Sequence, residues 1–220
     1  FKTPIPKDDP LGFFAIKSYK DQLKSARKKT GLDCSMVVAS GGINKIKCTV
    51  VASEWSFLGA SIEASEGESI LFAAAHAIEN NQPLIIVAQG GGMRMQASGI
   101  SLMQMPRTTL AINEVKAAGL PYIVIMADPV AGGITASYAM LSDVAFAEPG
   151  ATVAFAGRRV IQGTVKEELP SNFQVSESVL KTGFIDRICE RKDLNKEIGI
   201  LLSILLKKNN VIPSEENETS

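Results

Sequence analysis

Histidine is nearly missing from this sequence: 220 residues contain one, His76. A histidine general base or a histidine metal cluster therefore rests on that single residue. It sits in an Ala-rich helical pattern, which favours a packing role over a catalytic one. Cysteine is almost as scarce. Cys34, Cys48 and Cys189 lie far apart with no Cys-x-x-Cys pair, so no metal site and no disulfide framework is expected, and a reducing, cytoplasmic compartment is. Net charge is absent too, with 23 Lys plus Arg against 23 Asp plus Glu. That balance offers no general attraction to nucleic acid or to an anionic membrane. The longest apolar stretches, residues 84–88 and 122–127, are far shorter than the roughly 20 residues of a membrane helix. The opening FKTPIPKDDP has no apolar core of a signal peptide. It also lacks an initiator Met, which reads as a fragment.

What is present is an ordinary globular composition, 45% hydrophobic and 21% charged, long enough to bury a sizeable core. Residues 1–30 read as an irregular Pro-rich segment followed by a basic helix at 18–29. That helix carries Lys17, Lys20, Lys24, Arg27, Lys28 and Lys29 and stops at Gly31. Such a run is either a solvated face or a surface for a phosphate or a partner. Residues 31–207 form the main domain, and 208–220 a polar, frayed tail. Within the domain, 36–39 and 46–52 read as strands joined at Gly41-Gly42, and 55–62 as a further strand. Ser65-x-x-Glu68 reads as a capping box opening a helix to Asn80. The runs 84–88 and 122–127 read as strands buried on both faces. Each is followed by glycines and then by a helical pattern, at 96–118 after the first and up to Leu141 after the second. Strands at 144–147 and 152–155, a short helix at 176–181 and a final amphipathic helix through Leu194, Ile198, Leu201, Leu202 and Leu205 complete the chain. Alternating strands and helices imply an α/β fold with parallel strands.

The repeated unit of strand, glycine pair and helix is the first feature with chemical content. Glycine allows close backbone approach and positive φ, and a helix start offers unpaired N–H groups. Two such turns, Gly91-Gly92-Met93 and Gly132-Gly133, form either tight turns alone or a site for an anionic oxygen. The sequence GGGMRMQ lacks the Gly-Lys-Ser/Thr of a phosphate loop. Ser98, Ser101 and Ser137 lie near the turns without a nucleophile elbow or a histidine in reach. Met93, Met95, Met103 and Met105 read as adaptable core filling.

The runs YKDQL…ARKKTG, GGMRMQ…SLMQM, LPYI, DPVAGGITASYAMLSDVAFAEPGATVAFAGRRVI, TVKEELPSNFQVSE and GFIDRI occur in the order and near the spacing of a known family. From about Asp9 to Leu205 the chain resembles the β subunits of the carboxyltransferase component of acetyl-coenzyme A carboxylase. The resemblance implies a crotonase-like (ClpP/crotonase) α/β spiral of strand-strand-helix units. It implies transfer of a carboxyl group from carboxybiotin to acetyl-coenzyme A, giving malonyl-coenzyme A for fatty acid synthesis. It implies an α2β2 assembly with the carboxyltransferase α subunit, served by the biotin carboxyl carrier protein and biotin carboxylase. The family's zinc belongs to a four-cysteine ribbon that would precede residue 1.

For the site, the resemblance implies that the N–H groups of Gly91, Gly92, Met93, Gly132 and Gly133 bind the thioester oxygen, and that biotin itself is the base. It places Arg94, Gly59, Ser61 and Arg159 among the substrate-binding positions; Arg94 either meets a carboxylate or braces the first turn. Two departures stand out. Met93 occupies a position that the family usually fills with alanine, and Arg158 one that it commonly fills with proline. Two rival activities follow from the same fold. An enoyl-coenzyme A hydratase needs two carboxylates, but the corresponding positions fall near Ser137 and Gly157, and neither is acidic. A non-catalytic coenzyme A-binding scaffold is the other.

Overall fold

The computed structural model describes residues 1–166 and 168–207, with the Arg159 side chain left aside. The expected tail at 208–220 lies outside the described residues. Among the described residues, six strands form one sheet in sequential order: β1 (Met36–Ile43), β2 (Ile46–Ser53), β3 (Leu84–Gly90), β4 (Tyr122–Val130), β5 (Val144–Ala147) and β6 (Arg187–Ile188). β1 and β2 are an antiparallel hairpin, and every later neighbour is parallel. Each strand adds beside its predecessor, so the chain advances as a spiral of α/β units.

The sheet is covered on both faces, which explains the unbroken apolar runs. Leu84, Ile86 and Ala88 of β3 point into one core with Val124 and Met126 of β4. There they meet Ile70, Ala73 and Ala77 of α2 (Ala64–Glu79), and Ile112 and Val115 of α4 (Gln104–Ala117). Ile85, Ile123 and Ile125 point the other way, onto Ile198 and Leu202 of α7 (Leu194–Leu205). The period of two divides each strand between the two cores.

The N-terminal helix α1 (Tyr19–Thr30) starts at Ser18, whose hydroxyl accepts from Asp21 N, and stops at Gly31 with φ +71°. It packs Tyr19, Leu23 and Ala26 against Phe57. Arg27 ties the irregular segment down through a bidentate pair with Asp8, whose carboxyl this bond holds below its ordinary range.

Several local expectations are corrected. The hairpin turns at Asn44-Lys45, both at positive φ, and Gly41-Gly42 lie inside β1. Residues 58–60 form a 3-10 turn rather than a strand, with positive φ at Leu58, Gly59 and Ala60. The N-terminal box of α2 uses Glu63 and Glu66, two residues before the expected pair. The long helix expected at 96–118 is broken into a 3-10 turn at Met95–Ala97, a short α3 (Gly99–Leu102) and α4; Ser98 at φ +46° makes the break. After the second glycine turn there is no α-helix, only turns and a 3-10 segment, Tyr138–Leu141. Residues 152 and 153 make isolated bridges rather than a strand. Two further helices, α5 (Arg158–Val165) and α6 (Ser176–Leu180), precede β6.

Candidate functional site

The site lies where β3 and β4 end. Beyond the last paired residues of these neighbouring strands the chain turns at 90–93 and at 131–134. Ala131 N donates to Gly90 O at 3.0 Å, which fixes one turn on the other. Contact is close throughout. A Cβ placed on Gly92 would lie 3.5 Å from Ala131 O and from Gly133 N; one on Gly132 would lie 3.4 Å from Gly91 O and Gly92 Cα. Gly92 has φ +118° and Gly132 φ +62°, so these turns need glycine for their backbone shape.

Gly90 is the tightest of the glycines in the two turns. Its φ is +148°, and a Cβ there would sit 2.4 Å from Ala60 O and 2.7 Å from Ile134 Cδ1. From the sequence Gly90 is a strand breaker with no part in the site; three consecutive glycines at a strand end are the signal of the close approach.

The backbone donors divide into two groups. Gly132 N donates to Phe155 O at 3.0 Å, and Gly91 N reaches Gly59 O at 3.4 Å. Those two N–H groups hold the fold, which corrects their expected place at a bound oxygen. Among the described residues, the N–H groups of Gly92, Met93 and Gly133 have no hydrogen-bond acceptor. An unpaired donor is costly unless water or a ligand meets it. Three of them lie on two touching turns. Because α3 begins only at Gly99, the donors come from irregular backbone and owe nothing to a helix dipole.

Arg94 follows the first turn and is 2% exposed. All five of its N–H groups are engaged. Nε donates to Ser61 Oγ (3.1 Å); Nη1 to Tyr19 Oη (3.0 Å) and Glu63 Oε2 (3.3 Å); Nη2 to Glu66 Oε1 (2.8 Å) and Ser61 O. Phe57 lies beneath the guanidinium, 5.7 Å from ring centroid to Cζ. The bracing alternative holds, and the expected contact of Arg94 with a substrate carboxylate is corrected: no donor is left for one. Arg94 N also donates to Ile62 O (2.7 Å), and Ile62 N to Gly92 O (2.9 Å), so the brace reaches the turn directly.

Gly59 and Ser61 belong to the same scaffold. Gly59 O accepts from Gly91 N, and Ser61 Oγ donates to Leu58 O at 2.8 Å while accepting from Arg94. They support the first turn and do not present free polar groups, correcting their expected substrate contacts. Arg159 sits in α5, and its side chain is outside the described residues.

Electrostatically the brace is a buried ionic cluster. Burial pushes Glu66 up, but the Arg94 guanidinium and the Ser35 N–H and O–H hold it below the ordinary carboxylate value. Glu63 is raised, first by burial and then by the nearby Glu66. Burial also raises the Tyr19 hydroxyl, so it stays a donor, giving its proton to Glu63 at 3.2 Å. The partners of Arg94 lie 28 to 75 residues away in sequence, which hid them from local reading.

His76 is remote from the turns and packs against Phe1 and Phe72. His76 Nδ1 lies 3.0 Å from Thr49 Oγ1, whose hydroxyl also donates to Gln82 Oε1. The methionine expectation is half corrected: Met93 and Met105 are partly buried, but Met95 and Met103 are 72% and 60% exposed. An apolar groove of about 810 Å³ opens from the second turn, lined by Thr135, Ser137, Met140, Phe155, Phe173 and Phe184 among others. A smaller hollow lies on α1 between Lys17, Lys29 and Leu58.

Comparison with known proteins fits this arrangement. Residues 14–215 match the model of the carboxyl transferase domain family. The chain belongs to that family. It is 64% identical over 219 residues to the acetyl-coenzyme A carboxylase carboxyl transferase subunit beta of Pelagibacter ubique (strain HTCC1062), covering 100% of this chain and 71% of the relative. The same subunit of Maricaulis maris (strain MCS10) is 46% identical over 207 residues, covering 94% and 67%. Among solved structures, transcarboxylase 12S with methylmalonyl-coenzyme A and methylmalonic acid bound superposes with a TM-score of 0.69 at 24% identity, over 77% of this chain and 33% of that one. A Pseudomonas malonate decarboxylase hetero-dimer gives 0.67 at 21%, over 83% and 80%. The fold is thus the crotonase-like one of the carboxyltransferases. No helix among the described residues is long and apolar enough to cross a membrane.

Proposed function

We propose that this chain is the thioester-activating half of an acetyl-coenzyme A carboxyltransferase. It works in the cytoplasm, with an α subunit in an α2β2 assembly, on carboxybiotin delivered by a carrier protein and regenerated by biotin carboxylase. The product is malonyl-coenzyme A for fatty acid synthesis, and residues 31–207 form the working domain. The observation that carries this reading is the triplet of unpaired N–H groups at Gly92, Met93 and Gly133.

Carboxylation at the carbon beside a thioester carbonyl puts negative charge on the thioester oxygen. Preformed backbone donors stabilise that charge more than they stabilise the neutral substrate, and so lower the barrier. The glycine cradle fits such an oxygen because nothing but hydrogen projects from Gly92 and Gly133. Carboxybiotin supplies the carboxyl group, and biotin the base. In keeping with a borrowed base, the turns at 90–93 and 131–134 carry no ionisable side chain. This chain's part is to bind the thioester, orient its carbonyl on the donors and hold both turns rigid through Arg94.

The test uses two variants at one position. Gly133→Ala and Gly133→Pro both press a Cβ on Met93, but only proline removes the N–H. Loss of one such donor costs roughly 100-fold or more in rate. In the assembled complex the proline variant should therefore make malonyl-coenzyme A about 100-fold more slowly than the alanine variant. Rates within threefold of each other would remove Gly133 N–H from the mechanism. Hydration of crotonyl-coenzyme A by the unmodified chain would instead support the lyase reading.

A further inference from the structure

We propose that the Met93 side chain sets the acyl length which the site accepts, as a specificity-determining residue. The inference rests on the carboxyltransferase reading and adds a substrate limit to it. A Cβ placed on Gly133 would lie 2.7 Å from Met93 Cγ, 2.9 Å from Met93 Cε and 3.0 Å from Met105 Sδ. The Met93 thioether therefore crosses from the first turn to the second and rests on Gly133, where Met105 Sδ also approaches.

The same two residues offer unpaired N–H groups. A thioester whose oxygen sits between them has its acyl carbons only two or three bonds from that oxygen, beside the thioether. Met95, two residues on, is 72% exposed; methionine in this segment is not packed by default, and Met93 is placed. Acetyl has one carbon beyond its carbonyl and clears the thioether. Each further methylene presses on Met93. The limit is a soft one, because methionine is unbranched and adaptable.

The experiment measures kcat/KM of the assembled α/β complex for acetyl-, propionyl- and butyryl-coenzyme A, with carboxybiotin on its carrier. Met93→Ala removes Cγ, Sδ and Cε and keeps the N–H; alanine is also the residue that the family pattern usually writes there. A hydrophobic pocket discriminates one methylene by about 10- to 200-fold. Met93→Ala should therefore raise the propionyl-to-acetyl ratio about tenfold or more. Met105→Ala should raise it less, since Met93 keeps the atoms that lie nearer Gly133. Ratios within twofold of the unmodified complex in both variants would overturn the proposal. Equal loss of activity toward all three thioesters in an assembled Met93→Ala complex would also overturn it, by making Met93 a prop for the turn. An unmodified complex that makes no malonyl-coenzyme A refutes the carboxyltransferase reading separately. Competition binding of butyryl- against acetyl-coenzyme A still reads Met93 in that case: relatively tighter butyryl binding in Met93→Ala supports the proposal, and an unchanged preference overturns it.

Discussion

Replacing Arg94 by methionine should reverse the pH dependence of stability, not merely lower it. The guanidinium meets Glu66 at 2.8 Å and Glu63 at 3.3 Å, and neither carboxylate side chain is more than 5% exposed. Removing one side of a buried ion pair costs about 3–5 kcal/mol, because the other side remains buried and unpaired. Total stability is typically about 5–15 kcal/mol, so the variant is severely weakened but measurable. The penalty acts as an upward push on both carboxylates, since each is then buried without its cation.

The sign differs between the two proteins. In the native chain Glu66 is held below its ordinary value. Its contribution to stability is present above the unfolded carboxylate pKa and is lost as pH falls through the folded one. In Arg94→Met its folded pKa lies above the unfolded value, so stability is retained at acid pH and lost as pH rises. Glu63 is already raised in the native chain and falls in the same direction in both proteins, so the contrast comes chiefly from Glu66. Urea unfolding followed by far-ultraviolet circular dichroism at several pH values between 4.5 and 8 gives the difference directly. It should be small near pH 4.5 and approach the full 3–5 kcal/mol above neutrality. A gap that is the same at pH 5 and pH 8 would refute the reasoning and assign the cost to lost packing.

Three other substitutions probe the same architecture. Glu66→Gln should cost about 3 kcal/mol or more at neutral pH, whereas Glu63→Gln should cost about 1 kcal/mol or less, because the raised Glu63 gains little from its charge; urea midpoints of the two variants compare them, and equal losses would contradict the assignment. Gly90→Ala meets both a positive φ and a 2.4 Å approach to Ala60 O, so thermal unfolding should show a loss of about 2–6 kcal/mol. Gly199→Ala would put a Cβ 1.9 Å from Asn44 Nδ2, so it should destabilise the docking of α7 on the β1–β2 turn by about 1–3 kcal/mol. Asn44→Gly, tolerated at φ +46°, should restore most of that loss in the double variant; additive losses would place the clash elsewhere.

The parts of the fold that sequence made plain are those where one local pattern has one physical cause. β3 and β4 are apolar throughout because helices cover both faces of the sheet, and that burial leaves a continuous signature at 84–88 and 122–127. Residues 55–62 misled because Trp55, Phe57 and Leu58 look like strand residues. Their backbone is set by distant partners instead: Gly91 N on Gly59 O, and Arg94 on Ser61. Gly41-Gly42 mimics a hairpin turn for a similar reason. Glycine signals a turn, yet the register with β2 puts those residues in the ladder opposite Cys48 and Lys47, and Asn44-Lys45 take the positive φ values.

The candidate site shows the same division between local and distant causes. Glycines at two strand ends announced the two turns of the candidate site, and that much needs only neighbours in sequence. The division of labour among the five N–H groups could not be read locally, because Gly132 is committed by Phe155, 23 residues on, and Gly91 by Gly59, 32 residues back. The expected helix starts would have supplied dipoles to both turns. Their absence makes rigidity the more important requirement, since an irregular turn holds its donors in place only if something else holds the turn. Arg94 meets that requirement on the first turn through Ile62, Ser61, Glu63, Glu66 and Tyr19. On the second turn the restraint comes from hydrogen bonds alone: Gly132 N on Phe155 O, Ala131 N on Gly90 O, Ala136 N and Thr135 Oγ1 on Gly132 O, and Ser137 Oγ on Gly133 O at 2.6 Å. Because Ala131 is fastened to Gly90, rigidity imposed by Arg94 on one turn is passed to the other, and a buried residue with no N–H group to spare helps to place unpaired N–H groups on both.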